Sequence, residues 1–145
     1  TYEKQNKKYQ SREQVKETEI PDLGKWNDVI HLSSIAPSEV RQALREAGSS
    51  VGSSWKVFCI DAKLLDWSRM IIHIETGSVG GKEVINLPFT EENYAQHCHL
   101  PGRTKRYYKR CVEEGRQILM YGFAPHVLYG GTIDVSEAEI REYTN

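Results

Sequence analysis

RMIIHIETGSVGGKEVINL, residues 69–87, is the stretch whose reading decides the fold. Its first seven residues read as a strand. Met70, Ile72 and Ile74 fall on one side of it, because successive strand side chains point to opposite faces. His73 falls on the other side, as an isolated histidine expected to be structural. Thr76 to Gly81 reads as a glycine-containing turn, and Lys82 to Leu87 as the returning strand. GSVGGK resembles part of a phosphate loop, but it lacks the four-residue spacing and the hydroxyl residue after Lys82.

Outward from this hairpin the pattern changes. Val40, Ala43, Leu44 and Ala47 recur at i, i+3, i+4 and i+7, which predicts a helix over 33–48. Pro37 suits its first turn and Gly48 its left-handed end. Residues 27–32 read as a short strand, and WKVFCI (55–60) as a buried one. Thr90 is placed to cap a short helix running toward Cys98. Residues 103–121 predict a long helix, with Tyr108, Cys111, Val112, Gly115, Ile118 and Leu119 as its apolar stripe and Gly122 at its end. HVLY and TIDV flank Gly130-Gly131 as a hairpin would. Ser136 and Glu139 form a capping box for a last helix reaching Tyr143. The strands and helices do not alternate as βαβ units. The expectation is therefore an α+β fold: a mostly antiparallel sheet of about five short strands with three or four helices packed on it.

Residues 1–20 differ from the rest, being dominated by Lys, Glu, Gln, Arg and Thr. Such a segment buries too little apolar surface to offset its own ordering entropy. The sequence thus divides into a polar N-terminal arm (1–20) and one α+β domain (21–145), with a protein partner expected to contact the arm. Thr1 stands where an initiator Met would, which points to leader removal or trimming, and TYEKQNKKYQ holds no hydrophobic signal segment.

The net charge is −1, and 27% of residues are charged. A globally cationic nucleic-acid-coating surface is excluded, whereas a local basic patch is not. No stretch approaches the roughly 20 apolar residues of a membrane helix. Cys59, Cys98 and Cys111 cannot all pair within one chain. Free thiols in a reducing intracellular compartment are expected, with one disulfide and a spare thiol as the alternative.

One segment carries chemistry. His97 to Arg110, HCHLPGRTKRYYKR, holds two histidines, three arginines, two lysines and two tyrosines. Cations neutralise phosphates, and tyrosine rings stack on bases. His97 and His99 are candidate acid and base for RNA cleavage without a metal, with Lys105 stabilising the charge that develops on phosphorus. Arg103, Arg106 and Tyr107 are the candidate binding residues. Against this stands ordinary helix surface: Lys109 pairing with Glu113 and Arg110 with Glu114, both at i, i+4. His97 and His99 with Cys98 or Cys111 offer metal-ligand types, but without a CxxC pair the set is incomplete. No metal and no cofactor is expected. Two function classes follow: a non-catalytic binding or assembly protein, as an accessory subunit held partly through its arm, or a small RNA-binding or RNA-cleaving domain using residues 97–110.

Overall fold

The computed structural model describes residues 19–144. The arm, and with it the expected contact to a protein partner, lies almost wholly outside the described residues. What is described is an α+β fold with antiparallel sheets and three helices, as the sequence predicts.

The chain enters through a small hairpin, β1 (Glu19–Ile20) and β2 (Gly24–Lys25). A 3-10 turn, Trp26–Asp28, follows it, held by Lys25 N–H donating to Asp28 Oδ2 at 3.1 Å. It buries Trp26 on the sheet with Ile20, Val29 and Leu128.

The main sheet contains β3 (Ile30–Leu32), β5 (Met70–Glu75), β6 (Val84–Pro88) and β7 (His126–Tyr129). Its order is β3-β7-β5-β6, antiparallel throughout. The alternation seen in the sequence sorts its two faces. Met70 and Ile72 pack with Phe89, Val127 and Tyr129 on one side. Ile71 joins the Trp26 cluster on the other. Both faces are covered, which is why β5 shows buried residues at odd and even positions.

Helix α1 (Pro37–Glu46) begins at Pro37 and is followed by Gly48 at φ +86°, much as its signals predict. Thr90 Oγ1 accepts from Asn93 N–H at 3.1 Å and starts α2 (Glu91–Gln96). Helix α3 (Gly102–Glu114) packs on α1 around Val40, Leu44, Tyr108 and Cys111.

The strand expected to be buried at 55–60 forms but is half-exposed, with no fully buried residue, and three further expectations are corrected. The long helix ends at Gly115 and not at Gly122, because Gly115 takes the left-handed conformation, φ +65°. Arg116 N–H then bonds Cys111 O at 2.8 Å and closes the helix end. The tyrosines of α3 hold the chain as it returns: Tyr107 Oη accepts from Leu119 N–H at 3.1 Å, and Tyr108 O–H donates to Met120 O. Second, Gly130-Gly131 is not a hairpin turn, since residues 132–135 form no strand. These glycines permit close approach: a Cβ on Gly130 would meet Leu23 Cδ2 at 2.6 Å, and one on Gly131 the Tyr129 ring at 2.8 Å. Third, the last predicted helix is a strand, β8 (Glu139–Thr144), paired along its whole length with β4 (Ser54–Cys59). A seven-residue helix is marginal alone, and six cross-strand pairs outweigh one capping box. The three cysteines are free thiols. Among the described residues no helix is long and apolar enough to cross a membrane.

Candidate functional site

Arg103, Arg106 and Arg110 stand at i, i+3 and i+7 of α3, so they share one face. At 1.5 Å per residue they span about 10 Å. The chain turns at Gly115 and brings Arg116 to the same place. These four arginines line an open groove of about 660 Å³ with Gly77, Ser78, Val79, Gln117 and Phe123, over Tyr107. No carboxylate is among the described lining residues.

The opposite wall is the loop between β5 and β6, and Arg103 ties it to α3. Its guanidinium donates to Thr76 O and, at 2.9 Å, to Gly77 O. It also lies 4.0 Å from the centre of the Phe123 ring, a cation–π contact. Carbonyls and a ring hold this cation without cancelling its charge. Gly122 makes the fit tight: a Cβ there would stand 2.7 Å from the Tyr107 ring and 2.9 Å from Val79.

The cations of the groove are poorly neutralised. Arg116 Nε bonds Glu114 Oε2 at 2.6 Å, with both side chains about half exposed. Glu114 is thereby taken from Arg110, its expected i, i+4 partner. Among the described residues neither Arg106 nor Arg110 has an ion pair.

The structure thus brings Arg103, Arg106 and Tyr107 together and leaves the predicted acid–base residues elsewhere. Tyr107 is 9% exposed, and its ring meets Phe123 edge-on at 5.7 Å. It is a floor and a clamp rather than a free stacking platform. His97 closes α2, with Nδ1 donating to Asn93 O at 2.7 Å and its carbonyl accepting from Ser34 Oγ. His99 points to α1, with Nδ1 2.7 Å from Glu39 Oε1. Glu39 Oε2 accepts Leu100 N–H at 2.9 Å, and that bond, reinforced by His99, lowers the Glu39 pKa. Lys105 adds to the same field at Glu39. His97, His99 and Lys105 are not among the groove's lining residues.

No protein-family model, no curated protein and no solved structure matches the chain.

A second constellation was not legible in the sequence. His31, His73 and His126 surround Trp26, with ring centres 4.5, 5.2 and 5.2 Å from the indole. His73 and His126 are cross-strand partners on β5 and β7. The His73 Nδ1 donates to Asn86 Oδ1 at 2.7 Å, and burial lowers its pKa. Glu75, 8% exposed, places Oε1 3.8 Å from His126 Nε2. Among the described residues no group of three or more His, Cys, Asp or Glu side chains is placed to hold a metal ion.

Proposed function

We propose that this chain is a non-catalytic binding module whose arginine groove holds the phosphate backbone of single-stranded RNA. The observation carrying this reading is a run of four guanidiniums along one groove with no carboxylate among its described lining residues. A row about 10 Å long exceeds what one phosphate group needs, and an open groove suits a strand passing through. With Tyr107 built into the floor, stacking contributes little and phosphate contacts dominate. Such binding is sequence-tolerant and salt-sensitive. The bonds that tie His97 to α2 and His99 to α1 argue for binding without cleavage.

The test is fluorescence anisotropy with a labelled oligouridylate of about 12 nucleotides, within the site sizes of single-strand binding grooves. Three to four phosphate contacts predict a slope of log K against log salt of about −2 to −3. No binding at low salt, or a slope near zero, removes this reading.

Assembly with a protein partner is a second reading, favoured by the β4–β8 ribbon. Phe58 and Ile140 are register partners there and are 55% and 61% exposed. Contiguous exposed apolar surface of this kind marks contact sites. Replacing both with Ser is expected to abolish association with that partner in sedimentation, while leaving oligouridylate affinity unchanged.

A further inference from the structure

Glu75 joins the histidine cluster to the groove. It ends β5, and its two carboxylate oxygens engage different partners. Oε2 accepts the Gly80 N–H, which lies in the loop that walls the groove. Oε1 lies 3.8 Å from His126 Nε2, a buried nitrogen with no hydrogen-bond partner among the described residues. The loop between these points is short and internally bonded: Gly81 N–H donates to Ser78 O, and Thr76 N–H to Glu83 O. Its first two carbonyls, on Thr76 and Gly77, hold Arg103. A change at Glu75 therefore reaches the groove through one loop and one guanidinium.

The surroundings of His126 are specific. Glu75 and His73 face it from β5, Tyr121 from the turn before β7, and Trp26 from the 3-10 turn, with His31 of β3 on another edge of that indole. Glu75 is the one carboxylate in this set. His73 Nδ1 is taken by Asn86 Oδ1, whereas His126 turns its unpartnered Nε2 to Glu75 Oε1, so His126 is the ring that faces the carboxylate. Protonated imidazole carries N–H on both nitrogens, so Nε2 then donates to Oε1. One proton is taken from hydronium: one N–H bond forms, one O–H bond breaks, and water is left.

We propose that the Glu75–His126 pair is a proton-operated latch on the arginine groove. Protonating His126 fixes Glu75 in the position where Oε2 holds Gly80, sets the 77–79 wall and Arg103, and strengthens phosphate binding as pH falls. The ligand named here rests on the RNA reading; the link from His126 to Gly80 does not.

The test has two arms. In the first, NMR follows the Gly80 amide and the His126 ring of the full chain from about pH 8 to about pH 5.5, the range over which histidine serves as a switch. The latch expects the Gly80 amide to shift with the His126 midpoint in the wild type and to lose that shift in Glu75→Gln. In the second, oligouridylate affinity is measured over the same range. The wild type is expected to gain at least about fivefold, the lower end of coupling between linked sites. Glu75→Gln is expected to bind more weakly and without this gain. A simple field effect has the opposite sign, because removing a buried negative charge near four arginines would tighten anion binding. Tighter binding by Glu75→Gln with its pH dependence intact overturns the latch, as does a Gly80 amide indifferent to His126. Should Glu75→Gln fail to fold, His126→Asn replaces it, and the latch then expects affinity pinned at the high-pH level. Absence of oligouridylate binding at every pH defeats the RNA reading, while the NMR arm still decides the latch.

Discussion

Arg106 and Tyr107 are neighbours on α3, yet they belong to different parts of the molecule. Arg106 faces open space beside Arg103 and Arg110, whereas Tyr107 is built into the floor and clamps the returning chain at Leu119. His97, His99 and Lys105, a few residues before, are turned toward α2 and α1. A helix rotates about 100° per residue, so a cluster dense in sequence is dealt out to several surfaces. What distinguishes the groove from the histidine turn is commitment: His97 and His99 already have partners, whereas Arg106 and Arg110 have no counter-charge among the described residues.

The largest expected effect strikes the clamped side. Tyr108→Ala removes a fully buried ring and should cost about 3–5 kcal/mol of stability, read as a fall in the urea midpoint. Tyr108→Phe leaves only the Met120 carbonyl without its donor and should cost about 1–3 kcal/mol. On the open side, Arg106→Ala with Arg110→Ala should leave the urea midpoint almost unchanged. It should weaken oligouridylate binding roughly tenfold at moderate salt and make the salt slope shallower by about 1.4, two contacts at about 0.7 each. A collapse of stability in this double variant would erase the distinction between the two sides.

His99→Ala sharpens the contrast from the other direction. It should remove a contact to Glu39 and change oligouridylate affinity by less than about twofold, below the coupling range of linked sites. A large loss would put His99 back at the binding site. The smallest effect is that of pH on stability through His73. Burial holds its folded-state pKa below the ordinary histidine value of 6.5. The unfolded chain therefore binds the proton more readily, and ΔG of unfolding rises with pH between the two values. Stability from this group is complete above about pH 6.5 and is lost as pH falls toward the lowered pKa. Thermal melts at descending pH should show the loss, and His73→Gln should make it shallower.

Where signals were local, the sequence was readable. Pro37 and Gly48 bound α1, Thr90 starts α2, and the alternation of residues 70–74 builds β5, each through contacts a few residues away. Gly115 misleads because it fits the apolar stripe, while its other use, as a left-handed helix end, shortens α3 and creates the turn that carries Arg116. The acid–base candidates were legible as residue types but not as directions. Arg110 is spaced to pair with Glu114, and only the turn at Gly115 reveals that Arg116 takes that carboxylate. β8 was unreadable for a different reason: its partner β4 lies about 80 residues away, and a capping box was the stronger local signal. The histidines around Trp26 depend wholly on the order β3-β7-β5, which no local pattern encodes.

That order has a consequence for how the protein is made. β7 sits inside the sheet between β3 and β5, yet of that sheet's four strands it is the last to leave the ribosome. Until Tyr129 has emerged, β3 and the β5–β6 hairpin have no common neighbour, and each exposes an edge that invites pairing with another chain. Early synthesis can complete the local α1 turns and the β5–β6 hairpin, but the sheet closes only in a late step. A nascent chain stalled at about residue 124 should remain protease-sensitive throughout, and release of the next handful of residues should convert it to a resistant form at once.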